Sequence, residues 1–206
     1  MNAHEPVDGR RARRQRSREA VIEAVFALVS EGKVPPSADD VAARAGVSVS
    51  SIFRNFDGLH DLQRQALERS QANFAHLFVV ADADEQRTVR IRSHVRARIE
   101  LLEAASGLLR IGRSRALDHE PLVEGLARLR GRLADQTRQR FAAEIDQLTP
   151  AEAANLVALI DATTSPEAFD LMCAAHSRTS RQIAKTWIRA LDALFARWVP
   201  ETEEQT

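Results

Sequence analysis

Ser48, Ser50, Ser51, Arg54 and Asn55 stand within eight residues of one another. Hydroxyl, amide and guanidinium groups at that density are the side chains that reach phosphate oxygens and base edges in a major groove. Upstream, Arg10, Arg11, Arg13, Arg14, Arg16 and Arg18 fall within nine residues. The 29 basic side chains are balanced by 29 acidic ones. No global field therefore attracts a polyanion, and nucleic-acid affinity would have to come from such local clusters. An arginine arm can follow a phosphate backbone or enter a minor groove, with Arg13, Arg14 and Arg16 as its candidates; a solvated tail is the plainer reading. Catalytic patterns are missing: there is no Gly-rich phosphate loop, no Cys-x-x-Cys and no His-Glu-x-x-His, and the six histidines are scattered. Cys173 and His176 lie one helical turn apart, and a thiol beside an imidazole is the chemistry of a nucleophile. A buried small residue and a pocket-lining histidine account for both more simply. The expectation is a protein that is not an enzyme and carries no cofactor and no metal.

Two short helices and a tight turn must position the first group. Ser37 follows Pro35 and Pro36 and precedes Asp40 by three residues, the spacing of an N-cap whose third helical residue reaches back. Val41, Ala42 and Ala45 repeat on one helical face. Gly46 can adopt the left-handed conformation that ends a helix at little cost. Val47 plugs the corner, Ser48 caps the next helix, and Ile52, Phe53 and Phe56 form its buried side until Asp57-Gly58 stops it. The result is a helix-turn-helix over Ser37 to Leu62. Its second helix, about Val49 to Asn55, presents Ser48, Ser50, Ser51, Arg54 and Asn55 outward. Ser37 and Val49, at the two helix starts, are placed on the same surface. An ordinary helical corner with a solvated polar face fits the same residues. Neither short helix is stable alone, and a helix from about Gln15 to Glu31 supplies a support through Val21, Ile22, Val25, Phe26, Leu28 and Val29.

With this support included, residues 15 to 65 resemble the DNA-binding region of the TetR family of transcriptional regulators. The matching residues are Val41-Ala42, Ala45-Gly46-Val47-Ser48, Phe53-Arg54-Asn55-Phe56 and Leu62. The resemblance implies a homodimer on a near-palindromic double-stranded DNA operator, most often as a repressor, with a small-molecule effector held in a larger C-terminal domain. Phe53 occupies a position that in the family is usually a tyrosine whose hydroxyl binds a phosphate, and this chain has no tyrosine. Leu59 stands where the family commonly has a phosphate-binding lysine, and Asn55 where it often has histidine. The N-terminal arginines are the candidates to offset those losses.

The remainder reads as all-α, with about nine helices in total. Residues 1–14 are expected to be a mobile Arg-rich arm, 15–62 the helix-turn-helix domain, and 63–206 the regulatory, ligand-binding and dimerisation domain. A fourth helix is expected from Leu59 to Val80. A fifth runs from Glu85 to Ser106, with Val89, Val95, Ile99 and Leu102 toward the core and Arg87, Arg90, Arg92, Arg96 and Glu100 away from it. Gly107 and Gly112 bracket a short helix, and another runs from Glu120 to Gln147. Thr149-Pro150-Ala151-Glu152 and Ser165-Pro166-Glu167 are strong helix starts. Polar residues near core faces make His94, Arg98, Met172, Cys173 and His176 candidate ligand contacts, with Phe74 and Phe141 as apolar wall. Asp161 and Asp170 are expected at the surface or facing a dimer partner. In the last helix, Thr179 to Trp198, a stripe of Ile183, Trp187, Leu191, Leu194 and Trp198 runs beside a second of Ala184, Ile188 and Phe195. Together they exceed what one partner needs, and the excess marks a dimer interface. One cysteine and no apolar run of membrane length suggest a cytoplasmic protein. Two other readings stay open: a helical enzyme or small-molecule-binding protein with a helix-turn-helix-like corner, and a protein–protein adaptor using the wide apolar face.

Overall fold

The structure is a computed structural model that describes residues 6–116 and 120–199. Among the described residues it is all-α: ten α-helices, one of them a single turn, one short 3-10 segment and no strand. The helices are α1 (Pro6–Ser30), α2 (Ala38–Ala45), α3 (Val49–Asn55), α4 (Gly58–Asn73), α5 (Arg87–Ala116), α6 (Glu120–Arg140), α7 (Ala142–Ile145), α8 (Pro150–Thr163), α9 (Pro166–Ala174) and α10 (Ser180–Trp198). None of the described helices is long and apolar enough to cross a membrane. The chain divides into two compact units. The first runs to Ala72 and takes in Gly107–Leu126; the second holds Asn73–Ser106 and the chain from Ala127 onward.

In the first unit the capping residues act as the sequence predicts. Ser37 accepts the Asp40 backbone N–H at 3.1 Å, and Ser48 accepts that of Ser51 at 3.2 Å. Gly46 takes φ 67°, left-handed, and closes α2. Val21, Val25 and Leu28 of α1 pack with Val41, Ile52, Phe56 and Leu62. Leu108 and Ile111 of α5 complete this core, so the unit is discontinuous in sequence, whereas the expected cut fell at 62/63. A Cβ at Gly107 would collide with the Val29 side chain. The glycine is there for that close approach to α1, and α5 passes unbroken through Gly107 and Gly112, where a break and a short helix were expected.

Other boundaries differ for readable reasons. Residues 6–14 of the expected mobile arm belong to α1, with Pro6 at its first position and four arginines, good helix formers, from Arg10 to Arg14; residues 1–5 lie outside the described residues. α4 ends at Asn73, and the 3-10 segment Ala75–Phe78 follows, so the helix expected to reach Val80 stops a turn or more early. α6 ends at Arg140 because Phe141 leaves the helix to bury its ring, 5.4 Å from His94 and 4.7 Å from Phe195 between ring centroids. The fifth helix is rotated from expectation. Its buried line is Ile91, His94, Val95, Arg98 and Leu102, while Val89 is exposed. Arg90, expected on the outer side, is buried because Glu144 accepts two of its N–H groups at 2.6 Å and the Arg140 carbonyl accepts another at 3.0 Å.

The last helix also departs from the sequence reading. Ile183, Trp187 and Leu191, assigned to a dimer interface, are buried within this single chain together with Phe195. Trp187 lies against Phe169 of α9, ring centroids 6.3 Å apart. These side chains serve the second unit's own core and are not available to a partner. Leu194 and Trp198, from the same stripe, remain half-buried.

Candidate functional site

The outward face of α3 carries Ser48, Ser50 and Arg54 exposed and Ser51 half-buried. The three serines share hydrogen bonds, Ser48 Oγ lying 2.9 Å from Ser50 Oγ and 2.8 Å from Ser51 Oγ. Arg54 Nη2 donates to Ser51 Oγ at 2.8 Å. Phe53 is 51% exposed, against the expectation that it packs inward. In a two-turn helix Ile52 and Phe56, four residues apart, already fill the core-facing line. Val49 is half-buried against the same core. Asn55 Nδ2 donates to Ser17 Oγ at 3.0 Å, which ties α3 to α1. Ser37 is exposed, and its hydroxyl donates to Asp40 at 2.8 Å.

α1 brings its arginines to the same unit. Arg11, Arg13, Arg14 and Arg16 are exposed, and Arg14 Nη2 donates to the Arg54 carbonyl at 3.4 Å. This contact places the arginine-rich turns of α1 beside α3. Arg18 donates to Gln65 at 2.7 Å and lies 5.1 Å over the Phe56 ring. Arg11, Arg14 and Arg18 line an open groove with Ala12 and Gln15. Three other basic side chains of this unit have carboxylate partners: Arg44 with Glu31, Lys33 with Asp40, Arg64 with Asp61 and Glu68. No such ion pair holds Arg11, Arg13, Arg14, Arg16 or Arg54 among the described residues. A surface of uncompensated guanidinium groups and short hydroxyls suits a chain of phosphates. The sequence did not single out Ser17 or Gln65, whose role is to hold Asn55 and Arg18; nothing in their spacing announces it.

The second unit gathers some of the residues singled out for a ligand and scatters the rest. His94, Arg98 and Phe141 are buried together. Phe74, Met172 and Cys173 are half-buried and His176 is exposed beyond the end of α9. A cavity of about 320 Å³ is lined by Arg98, Leu133, Ala134, Asp161, Ala162, Thr164 and Pro166, with Arg130, Ser165 and Glu167. Of the seven candidates, Arg98 alone lines it. Asp161, expected at the surface or facing a partner, accepts from Thr137 Oγ1 at 2.6 Å and from Arg98 Nη2 at 3.0 Å. The line 91, 94, 95, 98, 102 in the sequence has core spacing, and reading it would have placed His94 and Arg98 together inside.

Burial sets the charge states here. It pushes the His94 imidazole well below its usual range, helped by the Arg98 and Arg140 charges, so the ring is neutral. Burial also lowers Arg98 to about 10, against the opposing attraction of Asp161. It raises the Asp161 carboxyl despite the Thr137 hydrogen bond and the Arg98 charge. Among the described residues no cluster of His, Cys, Asp and Glu has the make-up of a metal site.

No protein-family model matches the sequence, and no match is found among curated proteins. Solved structures do match. A TetR-family transcriptional regulator from Streptomyces coelicolor aligns with TM-score 0.67 and 18% identity, over 92% of this chain and 85% of that one. A TetR transcription regulator from Haloarcula marismortui aligns with TM-score 0.62 and 15% identity, over 88% and 97%. The multidrug binding protein EbrR, solved with imidazole, aligns with TM-score 0.58 and 22% identity, over 88% and 94%. At these identities the likeness is one of fold: the chain has the all-α fold of TetR-family regulators.

Proposed function

We propose that the chain is a TetR-family transcriptional regulator that binds DNA through α3 and the arginine face of α1, as a homodimer on a near-palindromic operator. The observation that carries this reading is the set of uncompensated arginines, Arg11, Arg13, Arg14, Arg16 and Arg54, around the exposed serines of α3. While Lys33, Arg44 and Arg64 are paired with carboxylates, these are left open to a partner of opposite charge. Arg54, Ser48, Ser50 and Ser51 are assigned to base edges and nearby phosphates. Arg13, Arg14 and Arg16 are assigned to the phosphate backbone, with Ser37, Val49, Phe53 and Asn55 bordering the contact. Like the repressors of this fold, it would act in the cytoplasm and release its operator when a small molecule binds the second unit. EbrR is named as a multidrug binding protein, which makes a ligand role for the second unit a natural reading.

The homodimer reading shifts from the inner stripe of α10 to outer faces. Leu159 of α8 is 41% exposed and Leu171 of α9 is 57% exposed. Around Leu159 stand the exposed alanines Ala151, Ala154, Ala158 and Ala162, a smooth apolar strip of the kind that covers itself in a symmetric pair. Leu194 and Trp198 of α10, both half-buried, are retained as interface candidates.

Selection of bound sequences from random duplex DNA tests the function. A two-fold-related consensus supports it. Recovery of unrelated sequences, with affinity governed by salt alone, would overturn it.

A further inference from the structure

We propose that the cavity of the second unit takes a small organic acid, its carboxylate on the unpartnered Nη1 of Arg98 and its apolar body against Leu133, Ala134, Ala162 and Pro166. This rests on the reading of the chain as a ligand-responsive regulator and supplies the chemical class of the ligand.

Arg98 is 2% exposed, and most of its fork is committed. Its Nη2 donates to the Leu133 carbonyl at 2.8 Å, to Thr137 Oγ1 at 3.1 Å and to Asp161 Oδ1 at 3.0 Å. Its Nε lies 3.4 Å from His94 Nε2. Nη1 is buried and has no partner, and the same is true of His94 Nδ1. A buried guanidinium nitrogen left unpaired is unfavourable, and Arg98, unlike Arg140 with its unpaired Nε and Nη1, lines the cavity where a ligand could complete it. The matching group is an acceptor, and a carboxylate makes the strongest bond of this kind. The charged residues lining the cavity, Arg98, Arg130, Asp161 and Glu167, balance one another, and the lining atom left without a partner is a donor, Arg98 Nη1. Arg98 and Arg140 both act on His94 as positive charges, while Asp161 spends one oxygen on both Thr137 and Arg98. At the edge of the cavity Arg130 and Glu167 neutralise each other at 3.1 Å. The size agrees: about 320 Å³ lies at the small end of the range for ligand pockets, room for a medium-chain or aryl acid.

The experiment is calorimetric titration of the full chain with octanoate, phenylacetate and 1-naphthoate, each beside its primary amide. At least one acid is expected to bind about tenfold or more tighter than its amide. Arg98→Met should erase that preference. Asp161→Asn removes a competing carboxylate and should tighten acid binding several-fold, the opposite of a general loss of structure. Ala134→Leu fills the apolar wall without touching the polar cluster; it should weaken the acids by about tenfold or more while leaving thermal unfolding near the parent's. If Arg98→Met fails to fold, the other two variants carry the test. The proposal is overturned if no acid binds, if amides bind as well as acids, or if acid binding survives Ala134→Leu. Operator affinity measured on the same preparations separates the two readings. DNA selectivity without acid binding removes only this inference. Acid binding without DNA selectivity removes the regulator reading and leaves the site.

Discussion

In the first unit the arginines that have partners find them at the surface, as Arg44 does with Glu31 and Arg64 with Asp61 and Glu68, and its core is apolar. In the second unit Arg90, Arg98 and Arg140 are buried, held by Glu144, Asp161 and Asp82. The same residue type thus meets two dielectrics. An exposed pair is screened and contributes little, whereas a buried charge must be matched closely or it unbalances the fold. A unit that keeps free guanidinium groups outside can meet a large anion from solution. A unit that buries Arg98 and Arg140 with three of their nitrogens unmatched can take up something small.

The largest expected effect is on stability. Arg90→Ala leaves the buried Glu144 with Arg87 as its remaining cationic partner and should lower the unfolding free energy by up to about 3–5 kcal/mol. Arg44→Ala, at a solvent-screened surface pair, should cost only a small fraction of that. Urea unfolding of the two variants measures both, and equal losses would break the contrast. Acid titration probes the same pair. Burial works to raise the Glu144 carboxyl, but hydrogen bonds from Arg90 and Arg87 outweigh it and hold it below its usual value. A depressed carboxyl contributes stability above its unfolded value, and that contribution is lost as pH falls through the folded one. Glu144→Gln should therefore flatten the acid side of the stability profile; an unchanged slope there would remove the pair from the account.

On the DNA-facing unit the expected effects are smaller. Arg54→Ala should weaken binding to the selected operator by about 1–3 kcal/mol if it reads a base. A loss equal on unrelated duplexes would reduce Arg54 to a phosphate contact. Phe53→Tyr adds a hydroxyl to an exposed ring where the resembling family usually has one. It should tighten binding by about 0.5–1.5 kcal/mol, uniformly over sequences. Specific tightening, or none, would show that this ring does not face a phosphate.

The contrast between the units also explains what the sequence revealed. The helix-turn-helix was legible because its signals are local: Ser37 and Ser48 cap, Gly46 turns, and Val41, Ile52 and Phe56 recur at helical spacing. The second unit was legible only as helices. Arg90 reads as a surface residue until Glu144, 54 positions away, is known to face it. Ile183, Trp187 and Leu191 read as an excess of apolar surface until the other helices of their own unit cover them. Asp161 gave no local sign of Arg98 or Thr137. Phe53 was misplaced for a different reason: in so short a helix periodicity alone does not say which of two adjacent large residues, Ile52 or Phe53, turns inward.

The central claim is that two copies of α3 engage one DNA site together. Hydroxyl-radical footprinting on the selected duplex tests it most directly. The account predicts two protected patches on one face, symmetric about a centre and about 34–36 Å apart, one helical turn. A single patch, or protection spread evenly along the duplex, would contradict it.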